Sequence, residues 1–359
     1  MNILIYNWRD IKNSAAGGAE VVTHEIAKRL VSKGHKICLF TAAFKGCKKN
    51  ETIDGVEIVR SGSRYSVYIK AKQYYKKHFG KYDVVVDEIN TRPFMTPKFV
   101  KDSTPVIALI HQLAREFWFY EMPFPINWIG YHILEDRWLA NYIDIPTITI
   151  SQSSENDLVD LGFKNITIIP MGINFKPLSG IPEKEKELTL IFVGRMGYAK
   201  RPDHVVEAFQ YIQKRIPDAK LWMVGDGAMR QKLENKKVDG VTFFGYVDSE
   251  KKLELMSRAH TILVPGVREG WGLVVTEANA MGTPAIGYNI PGLRDSIRDC
   301  ETGLLCEPKP EAMAEKAIEL LQDEMLLEKL SRNALEWSRN FNWDKSAENF
   351  LRIIEGVVN

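Results

Sequence analysis

Two glutamates flank a glycine-rich turn in the string Arg268-Glu-Gly-Trp-Gly-Leu-Val-Val-Thr-Glu277-Ala-Asn-Ala-Met-Gly282. Ionised carboxylates accept hydrogen bonds and are natural partners for hydroxyls. Gly270 and Gly272 let backbone N–H groups come close to a ligand. The helix expected to begin near Gly272 points its partly positive N-terminus at the same place, which suits a phosphate. Glu269 and Glu277 would then serve as hydroxyl acceptors on either side of a phosphate, an arrangement that fits a sugar and a ribose. A plain helix start also favours acidic residues, so Glu269 alone does not separate the two readings. The whole string is far more specific.

Three further groups bear on the same chemistry. Phe192-Val-Gly-Arg195-Met-Gly-Tyr-Ala-Lys200-Arg-Pro reads as a strand ending in a glycine turn. Two of its cations, Arg195 and Lys200, can hold a diphosphate and stabilise it as a leaving group. Taken alone, the turn reads rather as a solvated basic loop. Gly17 and Gly18 follow the first apolar run and precede a helix, a setting that can cradle phosphate. They lack both the G-x-G-x-x-G spacing of a dinucleotide fold and the lysine of a P-loop, and a tight turn explains them as well. His111 ends the run Val-Ile-Ala-Leu-Ile-His, where a satisfied core histidine is the commoner explanation.

These residues need strands that end where they begin. Short apolar runs at 2–6, 36–41, 83–86, 105–110, 147–150 and 166–169 alternate with helical stretches, which predicts parallel pairing rather than hairpins. Val22, Ile26 and Leu30 mark one helix face. Residues 174–187, with Pro177, Gly180, Pro182 and the run Glu-Lys-Glu-Lys-Glu, read as a linker. A second series follows, with strands at 188–193, 220–224, 241–244, 261–264 and 284–288, and the chain is helical from about 311 onward. The expectation is α/β: an N-terminal Rossmann-like domain over 1–173 and a donor-binding domain over 188–342, both doubly wound and facing across a cleft.

Composition narrows the class. The 359 residues are 45% hydrophobic and 26% charged, as in an ordinary globular protein. With 48 basic and 46 acidic side chains the net charge is +2, which argues against a dedicated nucleic-acid binder. The four cysteines form no C-x-x-C pair and read as idle thiols. The first apolar stretch is too short for a signal-peptide core, and no run suffices to span a bilayer. A cytoplasmic protein is expected, with room for peripheral contact at the inner face of a membrane.

In combination the motifs resemble the retaining glycosyltransferase family 4, also called the group 1 glycosyltransferases. Glu269 to Glu277 is similar to the family's E-x7-E motif. The resemblance extends over the glycine loop at 17–18, Gly194 to Pro202, Val-Gly-Asp-Gly at 224–227, Phe-Phe-Gly-Tyr-Val at 243–247 and Gly282 to Gly292. It implies the GT-B fold, with a final helix from about 343 returning to the N-terminal domain. It implies that Arg195 and Lys200 neutralise the donor diphosphate, Glu277 holds the ribose and Glu269 the hydroxyls of the transferred sugar. It likewise assigns backbone contacts to Gly270, Trp271, Gly272 and Leu273, a base contact to Val247, close approach to the diphosphate to Gly17 and Gly18, and the sugar-facing role to His111. No D-x-D motif occurs in the chain, so no metal and no cofactor are expected.

The implied reaction is retaining transfer of a hexosyl group by front-face attack. The donor phosphate takes the acceptor proton. A UDP-sugar is favoured as donor and GDP-mannose is next. The acceptor side is less family-like. Residues 64–82 hold six Lys or Arg and no acid, interleaved with aromatics. Residues 117–128 are rich in aromatics and proline. Such surfaces suit an anionic bilayer, so a saccharide or a lipid-linked acceptor is expected, with membrane contact through Arg64–Tyr82. A solvated helix face with a packed loop accounts for the same residues. A sugar-nucleotide epimerase and a non-catalytic nucleotide-sugar binder remain the alternatives, both disfavoured by the intact charged set.

Overall fold

The computed structural model describes residues 1–358. The chain divides into two compact units. The first takes in residues 1–118 and 124–172 and the chain from Asn342 onward. The second takes in residues 119–123 and 173–341.

The first unit is built on eight strands: β1 (Asn2–Tyr6), β2 (Lys36–Thr41), β3 (Asn50–Ile53), β4 (Val56–Arg60), β5 (Val84–Glu88), β6 (Val106–Leu109), β7 (Thr147–Thr149) and β8 (Ile166–Ile168). Their order is β3-β4-β2-β1-β5-β6-β7-β8. The inner strand β1 and the first three residues of β5 are mostly apolar, as a parallel sheet covered on both faces requires, and Asp87 and Glu88 close β5. Pairing is parallel among the six expected strands; β3 and β4 lie outside that expectation and pair antiparallel with each other. The cause is the two-residue turn Asp54-Gly55, both with positive φ (49° and 80°). Asp-Gly is a hairpin turn whose twist matches that of its strands.

The helix Trp343–Val358 belongs to this unit and packs on the helix Gly18–Ser32. Arg29 Nε donates to Asp344 at 2.6 Å, and Ser346 Oγ donates to the Pro170 carbonyl at 2.6 Å. The aromatics interleaved with the basic run divide between core and surface. Tyr75 and Tyr82 are buried and Tyr74 donates or accepts at Tyr82, whereas Tyr65 and Phe79 are exposed.

The second unit has six parallel strands: β9 (Thr189–Val193), β10 (Lys220–Val224), β11 (Val241–Gly245), β12 (Thr261–Val264), β13 (Ala285–Tyr288) and β14 (Gly303–Cys306), in the order β11-β10-β9-β12-β13-β14. β14 was not among the expected strands, because Gly-Leu-Leu-Cys is too short to show a period. Residues 174–187 are not a free linker. Leu178 N donates to the Ala280 carbonyl and Glu185 N to the Arg258 carbonyl, and the buried Lys184 Nζ lies within hydrogen-bond distance of the Ser257 and Gly282 carbonyls and Thr283 Oγ1. The stretch is a strap of the second unit, held by polar contacts that composition does not reveal.

Chain order reverses between β9 and β12 in this sheet, and between β1 and β5 in the first. At such a switch point the loops leaving the carboxyl ends of adjacent strands run to opposite faces, which opens a ligand-binding crevice. The loop after β9 is Gly194–Lys200 and the loop after β12 is Pro265–Gly272. The two strongest motifs therefore leave adjacent strands at one topological position.

Candidate active site

The two loops of the second unit are stitched together. Val267 N donates to the Ala199 carbonyl at 3.0 Å. Beneath them, Met196 N donates to the Asp226 carbonyl, and a Cβ on Gly225 would lie 1.9 Å from the Gly194 carbonyl oxygen, so glycine is required there. Glu269 is clamped from the other side. Its N–H donates to the Pro291 carbonyl, and a Cβ on Gly292 (φ +82°) would meet the Glu269 carbonyl at 2.0 Å. Backbone contacts thus fix where Glu269 stands before any side chain acts.

The Lys200 ammonium pairs with Glu269 Oε1. Glu277 lies inside the helix Leu273–Ala280, which starts after Gly272 (φ +88°). Both Glu277 carboxylate oxygens accept from Lys252 Nζ at 2.7 Å. Lys252 sits on the helix Ser249–Arg258, capped by Asp248, whose Oδ1 accepts from Lys251 N at 2.8 Å. Val247 immediately precedes that cap and is half-buried. Arg195 is exposed and forms no salt bridge among the described residues. Of these three cations Lys200 and Lys252 each pair with a carboxylate, and Arg195 does not. The Trp271 indole packs edge-on against Phe341, 5.5 Å between centroids, with its N–H buried and unpartnered. Glu269 and Glu277 each face a lysine, and no contact joins them to each other.

The first unit gathers its candidates at the carboxyl ends of β1, β5 and β6. Gly17 N donates to Glu20 Oε2 at 2.6 Å, and Arg9 Nε donates to Glu20 Oε1 at 2.9 Å. Gly18 opens the helix that follows. Burial pushes the Glu20 carboxyl above its ordinary range, against the pull of Arg9. His111 is buried, with Nε2 at 3.2 Å from Glu88 Oε1 and Nδ1 unpartnered. Among the described residues no group of three or more His, Cys, Asp or Glu side chains is placed to hold a metal ion. Cys300 is exposed, Cys306 is buried, and both are free thiols.

Four polar residues of these sites escaped the reading of the sequence. Glu20 carries a local signal, an acid three residues beyond the helix start at Gly17. Glu88 carries a weaker one, an acid closing an apolar strand. Arg9 and Lys252 carry none, because each is recognised only by a partner distant in the chain.

Each of the two doubly wound sheets carries a polar site at its switch point. The family model for Glycosyltransferase Family 4 matches residues 16–176, and that for Glycosyl transferases group 1 matches residues 178–337. Glycogen synthase of Mycobacterium tuberculosis is 28% identical over 224 residues, covering 59% of this chain and 54% of that protein. The chain therefore spans about half the length of that relative. Sucrose-phosphate synthase of Thermosynechococcus elongatus superposes with a TM-score of 0.80 at 21% identity, over 99% of this chain and 98% of that one. Anabaena HepE, solved in complex with UDP-glucose, superposes with a TM-score of 0.76 at 14% identity, over 99% and 100%. The chain belongs to the group 1 glycosyltransferases of family 4 and has their GT-B fold of two Rossmann-like domains.

Proposed function

We propose that this protein transfers a hexosyl group, with retention, from a nucleoside diphosphate sugar to a hydroxyl acceptor. The observation that carries the reading is the charge arrangement at the second switch point. Arg195 forms no salt bridge among the described residues, Lys200 pairs with Glu269 across the loops leaving β9 and β12, and Lys252, on the helix after β11, pairs with Glu277. A diphosphate supplies the missing anion, its sugar supplies hydroxyls to Glu269, and its ribose supplies hydroxyls to Glu277. Arg195 and Lys200 stabilise the departing diphosphate in place of a metal. Gly270 to Leu273 contribute backbone donors, Val247 meets the base, and Gly17 and Gly18 serve the diphosphate and His111 the sugar. The departing phosphate oxygen takes the proton of the acceptor hydroxyl as the new glycosidic bond forms. No protein nucleophile is required, and the rate comes from positioning and charge.

A UDP-sugar is the favoured donor, supported by the UDP-glucose complex of Anabaena HepE, with GDP-mannose next. The acceptor is a saccharide or a lipid-linked saccharide. Peripheral membrane contact through Arg64–Tyr82 is supported by the exposure of Arg64, Lys70, Lys72, Lys76, Lys77 and Lys81 beside Tyr65, Ile69 and Phe79. The same unit also exposes Phe124, Ile126, Trp128, Ile129 and Ile133. Among the described residues no helix is long and apolar enough to cross a membrane.

The test is donor hydrolysis and thermal shift with UDP-glucose and GDP-mannose in the presence of a chelator. A nucleotide at many times its dissociation constant raises the melting temperature, and slow release of sugar identifies an enzyme. Binding without any turnover, with or without candidate acceptors, would refute the catalytic reading. Turnover abolished by the chelator would refute its metal independence. Pelleting with anionic but not neutral vesicles, weakened by salt, checks the membrane contact.

A further inference from the structure

Glu88 is buried at the carboxyl end of β5 and both its oxygens are engaged. Thr23 Oγ1 donates to Oε2 at 2.6 Å, and His111 Nε2 lies 3.2 Å from Oε1. Thr23 and His111 are themselves buried. The backbone of His111 is held as well, its carbonyl accepting from Ser154 Oγ at 2.8 Å. The second ring nitrogen, Nδ1, is buried and has no partner. An ionised carboxylate offers only acceptors, so the nitrogen that faces it carries the hydrogen. In the neutral ring Nδ1 is then a bare acceptor. Leaving a buried acceptor unpaired is unfavourable, and its place at a strand's carboxyl end is where ligands of such sheets sit.

We propose that Glu88 is a positioning residue that locks His111 in the Nε2–H tautomer, so that Nδ1 accepts a hydrogen bond from a hydroxyl of the transferred sugar. The proposal rests on the reading of His111 as sugar-facing. It goes beyond that reading by assigning the ring's tautomer, the direction of its hydrogen bond and the residue that sets both. It further separates sugar recognition from nucleotide recognition: Glu88 acts on the bound sugar and leaves UDP alone unaffected.

The test uses full-length protein with 15N-labelled histidine, at a pH where the ring is neutral. Wild type is expected to show the Nε2–H pattern of ring nitrogen shifts, with Nδ1 moving on addition of UDP-glucose and not of UDP. Glu88→Met is expected to mix the tautomers and to lower kcat/KM for UDP-glucose hydrolysis about tenfold, with UDP affinity unchanged. An Nδ1–H tautomer in wild type overturns the proposal, as does an Nδ1 shift indifferent to UDP-glucose. Glu88→Met with wild-type shifts and rate overturns it too, and so does equal loss of UDP and UDP-glucose binding, the mark of a merely structural role. If Glu88→Met does not fold, the wild-type shifts decide alone. His111→Ala is the control for the underlying reading. Wild-type handling of UDP-glucose by His111→Ala removes the sugar-facing role itself, whereas its loss beside a silent Glu88→Met removes only the role of Glu88.

Discussion

Glu269→Gln should change nucleotide binding and turnover in opposite directions. In the ligand-free protein the Lys200 ammonium rests on the Glu269 carboxylate. A nucleoside diphosphate that lacks its sugar must draw Lys200 away and leave Glu269 uncompensated. A nucleotide sugar brings hydroxyls that give Glu269 new partners. Two unit charges at about 4 Å attract by about 4 kcal/mol at an effective dielectric constant of 20 and by about 1 kcal/mol in water. The Glu269 side chain is 12% exposed and that of Lys200 is 36% exposed. Water reaches the ammonium, so the lower figure applies, in line with the ~0.2–1 kcal/mol of exposed pairs. Glu269→Gln should therefore tighten UDP binding about fivefold. It should also lower kcat/KM for the sugar donor about ten- to a hundredfold, because a charged acceptor for sugar hydroxyls is lost. Lys200→Ala should weaken UDP and cut turnover about a hundred- to a thousandfold. Titration calorimetry with UDP and steady-state rates with the sugar donor measure both quantities. Weaker UDP binding by Glu269→Gln would refute the reasoning, as would unchanged UDP binding by Lys200→Ala.

Other perturbations test the surrounding scaffold. Lys252→Met removes two 2.7 Å hydrogen bonds from Glu277; with both side chains about a quarter exposed, it should weaken UDP about fivefold. It should leave 2′-deoxy-UDP less affected, and equal losses for the two nucleotides in calorimetry would contradict the ribose role. Arg60→Met leaves Asp10 buried and unpaired, since both side chains are fully buried and joined by bonds of 2.7 and 2.9 Å. Urea unfolding should show a loss of about 3–5 kcal/mol, largely recovered when Asp10→Leu is added. Burial pushes the Lys184 amine from its usual 10.5 down to about 7. Between those values the unfolded chain binds the proton and the folded chain does not, so this lysine makes stability rise with pH. Unfolding of wild type measured against Lys184→Met from neutral pH to about pH 10 should show that rise, and a flat difference would exclude it.

What could be read in advance follows the range of the interaction. The strands at 220–224 and 261–264 were legible to the residue, because a covered parallel strand must be an unbroken apolar run. The loops after β9 and β12 were legible because glycine at 225 and 292 is forced by the close approach of the backbone of those loops, and glycine spacing is written in the chain. The Asp54-Gly55 turn is equally written there, but its flanking strands, Asn-Glu-Thr-Ile and Val-Glu-Ile-Val-Arg, are interrupted by charged residues and do not read as apolar runs.

Partners across the fold are a different matter. Glu88 and His111 stand 23 positions apart, Lys252 and Glu277 stand 25 apart, and Asp10 and Arg60 stand 50 apart. No local pattern links such pairs, because they meet only after strands have been placed side by side. This divides the chemistry of the site as well. Most groups proposed to touch the donor lie in, or one or two turns beyond, loops rich in glycine, and so they leave a motif. The groups that set their charge and orientation, Lys252 and Glu88 among them, lie on the elements behind those loops and leave none. If that division holds, substitutions behind the loops should alter selectivity for ribose or sugar while sparing the diphosphate contact. That is the outcome separating Lys252→Met and Glu88→Met from Lys200→Ala.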